Sequence, residues 1–271
     1  MSQSSFIEAT LRSFARAFAK ALVSERAGSQ TGLLQWFDPR VRVIGVSVLV
    51  VSGIVCQRLA VVAAVFGLAI AIASGSRLSL STLATRVWLV VLGFTGVIAV
   101  PAIFLTPGRP LLTVPGVFSI SEPGLKTATL LVLRSETAAT LTATLVLCTP
   151  WMHVLKALRS LRLPAEIVTM LAMTHRYIFL LIETANQMFE SRQSRAVGTL
   201  TGPEKRRMTA RTAGVLLSKS VELSHEVYLA MLSRGFDGEV RLLCDFRLKA
   251  HDYIGLFGFL SAGAFTVWVG R

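Results

Sequence analysis

Two arginines stand out for the chemistry their surroundings allow. Arg195 lies in Ser194-Arg195-Ala196, ahead of Val197-Gly198, and Arg234 lies 39 residues further on in Ser233-Arg234-Gly235, ahead of Phe236-Asp237-Gly238. A guanidinium is permanently charged and holds five N–H donors in a planar fork that fits a carboxylate. Small neighbours let the backbone that carries it approach another protein closely. The plainer reading is that Ser-Arg is a common pair and that glycine only ends a helix. The recurrence of one pattern at two predicted helix ends favours docking. A second charged pair, Arg134 and Glu136, falls inside an apolar run, where ionisable side chains are functional hypotheses by default. Against that, Arg134 can snorkel to the outer interface and Glu136 can pair within a helix bundle.

The rest of the reactive inventory is sparse. His153, His175, His225 and His251 stand singly, with no H-E-x-x-H and no Ser/His/Asp arrangement. Cys56, Cys148 and Cys244 are far apart and form no C-x-x-C pair, so neither a metal site nor a disulfide framework is expected, and they read as reduced and structural. No G-x-x-x-x-G-K-[ST] loop is present to cradle ATP phosphates. The expectation is a non-catalytic chain with no cofactor and no metal ligands, in which any ATP hydrolysis belongs to separate polypeptides.

The elements that must position these arginines belong to a membrane protein. Of 271 residues, 53% are hydrophobic and only 16% charged, too little polar surface for a soluble globule. The formal charge of +13 lies between and beside apolar runs, which points to anionic lipid and a cytoplasmic protein partner, with no nucleic acid. Apolar runs at about 41–56, 59–75, 87–105, 128–149 and 250–270 make five candidate spans against the ~20 residues a helix needs to cross the bilayer. Only Gln57 and Arg58 separate the first two, and Pro101 should kink the third. The stretch from Thr106 to Gly124, dense in proline and glycine, reads as an irregular loop. Arg12, Arg16, Lys20 and Arg26 precede any apolar core, so the N-terminus reads as a cytoplasmic amphipathic lead-in and not a signal peptide.

From Trp151 to Lys249 the chain is rich in lysine and arginine, which the positive-inside rule places in the cytoplasm. Two long helices are expected there. One opens near Pro164 and closes at Gly198, with Ile167, Leu171, Ile178, Leu181, Ala185 and Met188 at helical spacing. The alternative is a sixth span over 165–182, opposed by the central His175-Arg176, since an arginine at mid-membrane costs about 2.5–3.5 kcal/mol on insertion scales. The other helix runs from Pro203 to about Phe236. It sets Leu216, Leu223, Val227 and Met231 on one face and Lys219, Glu222 and Glu226 on another. Glu204 to Met208 reads as a basic turn between the two.

At Asp38-Pro39-Arg40-Val41-Arg42, Thr149-Pro150-Trp151, Leu161-Arg162-Leu163-Pro164, His175-Arg176-Tyr177-Ile178-Phe179 and Ser233-Arg234-Gly235-Phe236-Asp237-Gly238, the sequence resembles the transmembrane T component of energy-coupling factor transporters, the EcfT/CbiQ family. The resemblance spans most of the chain and is nearest the cobalt and nickel branch. Its paired Ala-Arg-Gly motifs match the two tripeptides here, the first departing with serine and alanine. The resemblance implies an L-shaped, all-α membrane protein of about five transmembrane helices with long amphipathic cytoplasmic coupling helices. Residues 1–40 would be the lead-in, 41–149 a membrane bundle, 150–248 the coupling helices and 249–271 a last span. It implies docking through Ser194, Arg195, Ala196, Ser233, Arg234 and Gly235 onto two ABC-type, CbiO-like ATPase subunits. Further implied partners are a CbiM-like substrate-binding membrane subunit and a small CbiN-like accessory subunit. The implied task, in the cytoplasmic inner membrane, is cobalt uptake serving cobalamin biosynthesis. The same role for nickel or a vitamin is the alternative, and a stand-alone secondary transporter using Arg134 and Glu136 is a reading of another class.

Five spans and a basic 151–249 segment put the N-terminus inside and the C-terminus outside. Reporter fusions at the two termini should report opposite sides of the membrane; a C-terminal reporter on the inside removes one span from this topology.

Overall fold

The computed structural model describes residues 32–105, 110–114, 118–194, 201–238 and 250–270, so residues 1–31 of the 1–40 lead-in lie outside the described residues. The chain is an all-α membrane protein apart from one small hairpin. The helices are α1 (Pro39–Val55), α2 (Leu59–Gly75), α3 (Leu80–Leu83), α4 (Leu89–Leu105), α5 (Glu122–Cys148), α6 (Trp151–Ser160), α7 (Ala165–Ser194), α8 (Gly202–Leu232) and α9 (Ala250–Gly270). By contacts the chain divides into two compact units. One lies within Leu158–Cys244, and the other joins Ala27–Ala157 to Asp245–Arg271.

Most of the expected spans match helices, with three differences. A π-helical turn, Ala84–Trp88, runs straight from α3 into α4, so the third span begins at Leu80 and not near 87. Nothing in Leu80–Trp88 breaks a helix. Within the segment read as an irregular loop, β1 (Pro110–Val114) pairs antiparallel with β2 (Phe118–Ser121), Val114 opposite Phe118. The loop also ends sooner than expected, because Glu122-Pro123-Gly124 forms the first turn of α5; proline early in a helix gives up only an N–H that had no partner there.

Leu80–Ile103, Glu122–Cys148, Ala165–Arg192 and Ala250–Gly270 are long and apolar enough to cross a membrane. Helices α1 and α2 have 17 residues each, about 25 Å at 1.5 Å per residue and at the short end of what spans a bilayer.

The contacts of the larger unit fix how its helices alternate. At one end, Leu33 N–H donates to Gly75 O (3.1 Å), Arg42 Nη1 to Cys148 O (3.2 Å) and Asp38 N–H to Asp252 Oδ1 (2.7 Å). The start of α1 is thereby joined to the ends of α2 and α5 and to the start of α9. At the other end, Gln57 N–H donates to Gly270 O (2.9 Å) and Arg134 Nη2 to Cys56 O. Helices α1 and α9 therefore run parallel, with α2 and α5 opposed to them. Helix α4 packs on α5, its preceding Trp88 donating from Nε1 to Thr140 Oγ1 (2.9 Å) two turns before the end of α5. Its outward face shows Leu89, Leu92, Phe94 and Val97, more than half exposed, as suits a lipid-facing helix.

Packing explains the parallel pair. A Cβ at Gly45 would lie 2.5 Å from the Phe259 ring, and one at Gly263 would lie 2.5 Å from Val48 Cγ1, so glycine on each helix admits a large side chain of the other. Val46, Leu49, Ala69 and Leu141 form the buried centre, with Phe259 and Ala262 of α9 packed against it.

One buried cation ties the head of α1. Arg42 is 6% exposed. Its Nε donates to Phe37 O (2.7 Å), its Nη2 to Gln35 O (2.7 Å) and its Nη1 to Cys148 O. A buried acceptor left without a donor costs about 1–3 kcal/mol. Arg42→Met should therefore lower unfolding stability in detergent by at least ~2 kcal/mol, and Arg42→Lys, which cannot reproduce the fork, by an intermediate amount. Unchanged stability in Arg42→Met would show that the three carbonyls need no such donor.

Candidate docking site

The unit within Leu158–Cys244 is built on α7 packed against α8. Helix α8 starts with a capping box: Glu204 Oε2 accepts from both the backbone N–H and the hydroxyl of Thr201, at 2.8 Å each. Those two donors hold the Glu204 carboxyl below its ordinary range, the backbone N–H most strongly. Pro203 in the first turn presets the helix. Residues 204–208 are consequently the first turns of α8, not a turn between the arms, and Arg207 is an exposed residue on that helix. The signal was in the sequence as Thr201-Gly202-Pro203-Glu204.

Further along α8 the apolar spacing works as expected. Leu216, Leu223, Val227 and Met231 are half-buried and Thr212 is 1% exposed, while Lys219, Glu222 and Glu226 lie in solvent. On α7, Glu183, Gln187 and Glu190 are exposed as expected, but so are the apolar Ile167, Met170 and Leu180, so the apolar face expected to include Ile167 is not covered along its whole length.

The end of α8 shows how an arginine is presented. Gly235 N–H donates to Leu232 O (3.0 Å) and Phe236 N–H to Met231 O (3.1 Å), with Gly235 at φ +78°. That is the Schellman closure, in which a left-handed residue turns the chain back onto the last carbonyls. Its usual companion is an apolar contact between the residue after the turn and the last helical turn, the positions that half-buried Phe236 and Met231 hold here. Glycine is required at 235 by conformation, since a Cβ there would meet nothing within 4 Å. The same closure sets Arg234 as the exposed last residue before the turn, with Ser233 Oγ folded back onto Leu229 O (2.9 Å). The guanidinium is thus carried on a backbone with no free play at its root and no bulky neighbour on either side.

Of the first tripeptide, Ser194 is exposed and its Oγ donates to Glu190 O (2.9 Å) at the last turn of α7; Arg195 and Ala196 lie outside the described residues. Arg234 therefore stands with its full surroundings, whereas Arg195 stands by its place in the sequence.

Elsewhere the candidates separate. Arg134 reaches the carbonyl of Cys56 at the turn after α1, in keeping with an arginine near a membrane face. Glu136 does not pair within the bundle: it is 5% exposed and neither carboxylate oxygen has a hydrogen-bond partner. The acidic and basic side chains two residues apart on α5 point about 200° apart around the helix, so proximity in sequence does not join them. Cys56 and Cys148 are buried and in no disulfide, at opposite ends of α1, Cys56 Sγ donating to Thr266 O (3.1 Å), and Cys244 lies outside the described residues. Among the described residues no three of His, Cys, Asp and Glu gather as a metal site would need. His153 is half-buried, and desolvation, then Arg42 and Lys156, push its imidazole below the ordinary value while Asp38 pulls the other way.

At the head of α1, Asp38 to Arg42 stood out in the sequence by resemblance alone, with no sign of the buried joins these residues make. Asp38 caps the helix by accepting from Arg40 N–H (3.0 Å), and its own N–H goes to Asp252, 3% exposed in the first turn of α9. Asp38-Pro39 is a visible cap signal, but nothing local tells that Asp252 will meet it.

Comparison with known proteins agrees over most of this length. The family model described as CbiQ, cobalt transport protein, matches residues 32–242. An uncharacterized protein of Methanocaldococcus jannaschii is 29% identical over 227 residues, 82% of this chain and 77% of that one. The cobalt transport protein CbiQ of Rhodobacter capsulatus is 30% identical over 179 residues, 65% of this chain and 73% of its own. The energy-coupling factor transporter transmembrane protein EcfT of Bacillus subtilis is 26% identical over 222 residues, 77% and 82% of the two chains.

Proposed function

We propose that this chain, which belongs to the CbiQ family of cobalt transport proteins, is the coupling subunit of an ATP-driven uptake transporter of the energy-coupling factor type, with cobalt as its cargo. In this reading it hydrolyses nothing itself. It links a pair of ABC-type ATPase subunits to a substrate-binding membrane subunit, and it converts closure of the ATPases into movement of the membrane bundle.

The observation that carries the reading is Arg234, exposed at the Schellman-closed end of α8, a helix of 31 residues. Such a helix is about 45 Å long. A cation at its tip, on a rigid turn between two small residues, is suited to insertion into an acidic groove, where a forked guanidinium can hold a carboxylate. In the sequence, Arg195 directly follows Ser194, the last residue of α7. Motion imposed at these tips is transmitted because each arm is a continuous helix and the two are packed together. Cobalt is favoured over nickel or a vitamin by the family and by the Rhodobacter relative's name.

The orientation proposed puts the head of α1 on the cytoplasmic side. That end of the bundle carries Arg40, Arg42, Arg77 and Arg86, the opposite end Arg58, Lys126 and Arg134, and the basic arms follow from the same side. With the arms in the cytoplasm, α7 would not be a further span, although it is long and apolar enough to be one. The unpartnered Glu136 is the observation that favours a stand-alone transporter, but the sequence shows no internal repeats with paired broken helices of the kind such transporters are built from.

Losing one partner of a buried, hydrogen-bonded charge pair costs about 2–5 kcal/mol of binding. Arg234→Glu should therefore release the ATPase subunits on co-purification or leave hydrolysis running without uptake, while the bundle still inserts. Arg195→Glu should act in the same direction. Arg207→Glu, on the exposed first turns of α8, should change affinity by no more than about 1 kcal/mol. Normal co-purification and normal uptake in both tip variants would reduce the tripeptides to helix ends.

A further inference from the structure

The pair of arms, α7 and α8, is joined to the bundle by chain on either side, and both joins lead to residues held by the head of α1. Upstream, the arms are reached from the end of α5 through α6; downstream, residues 239–249 lead from the Arg234 turn into α9. At the upstream connection, the carbonyl of Cys148, the last residue of α5, accepts from Arg42 Nη1. At the downstream one, Asp252 in the first turn of α9 accepts from Asp38 N–H, deep in the protein at 3% exposure. Residues 38 and 42 are the cap and the first helical turn of α1, separated in sequence from their partners by 214 and 106 residues.

On the basis of the coupling role proposed above, we infer that the head of α1, residues 37–42, is the junction at which movement of the arms enters the membrane bundle, and that Asp252 and Arg42 are positioning residues for coupling. The physical argument is one of stiffness. A buried carboxylate on a backbone N–H and a buried guanidinium on three carbonyls are charge-assisted hydrogen bonds in a medium that screens them little. They do not stretch, so a pull on the start of α9 or the end of α5 is delivered to α1. From there it spreads along a rigid pair, because α1 and α9 are interlocked at Gly45 with Phe259 and at Gly263 with Val48, down to the contact of Gln57 with Gly270. Two further contacts brace the junction at its rim: His251 Nε2 lies 3.2 Å from Trp36 O, and the Phe37 and His251 rings are 6.5 Å apart.

The test separates coupling from mere stability. The complete complex, with its ATPase pair and substrate-binding subunit, is reconstituted in proteoliposomes, and ATP hydrolysis and uptake of radiolabelled Co2+ are measured together. In Asp252→Ala the complex should assemble and hydrolyse ATP, with Co2+ taken up per ATP reduced tenfold or more. Asp252→Asn keeps an oxygen for the Asp38 N–H and should recover most of the ratio. His251→Ala, on a half-exposed side chain, should lower the ratio a few-fold at unchanged assembly, and it carries the test if Asp252→Ala fails to fold. Thr140→Val removes the acceptor of Trp88 elsewhere in the bundle and should lower complex yield while leaving the ratio intact. A wild-type ratio in both Asp252→Ala and His251→Ala, in complexes that transport, overturns the junction and leaves the coupling role standing. Failure of the wild-type chain to assemble with any ATPase pair removes the coupling role, and the junction with it.

Discussion

A guanidinium that cannot be neutralised sits out of water at the head of α1, and its environment sets the terms for the bundle around it. Arg42 is tolerated there only because three backbone carbonyls converge on its donors, two from the turn before α1 and one from the last residue of α5. Burying a charge without such partners is among the most unfavourable events in folding. The same demand fixes where α5 ends relative to where α1 begins, and Asp252 does the equivalent for α9. Once these two joins are made, the alternation of helix directions follows, and the parallel contact of α1 with α9 can be tightened by glycine against aromatic and branched side chains.

Local physics carried the sequence reading where boundaries depend on local signals. The break at Gln57 and Arg58 separates α1 from α2, and the apolar runs 59–75 and 250–270 coincide with α2 and α9. Gly235 before Phe236 marks a helix end because a left-handed turn there favours glycine, and the closure has that form. Misreadings came from weighing composition above cap chemistry. Thr201 with Glu204 turned an apparent basic loop into the start of α8, and Pro123 opened α5 inside a stretch that looked like a loop. The joins at Arg42 and Asp252 were out of reach because they link residues more than a hundred positions apart, and no periodicity reports which carbonyl a buried donor will meet.

The division of labour follows from what each unit holds. The bundle has stiff, buried polar joins at one end and a lipid-like apolar exterior. The arms have a solvated charged face, an apolar face used in packing each other, and a terminal arginine on a rigid turn. A chain of this kind has the parts to receive force and to pass it on, and among its described residues no gathered set of ligands for a metal cargo. Membership of the CbiQ family places the chain among transport proteins, and the load-bearing role of its buried joins is our proposal.

In the function we propose, this chain couples ATP hydrolysis by separate subunits to movement of a cargo that it does not itself bind. The most direct measurement is ATP-dependent Co2+ uptake into proteoliposomes containing the ATPase pair and the substrate-binding membrane subunit, with and without this chain, alongside liposomes holding this chain alone. Uptake is expected only when all are present, and none by this chain alone under any ion gradient. Equal uptake in its absence, or gradient-driven uptake by the isolated chain, would contradict that function.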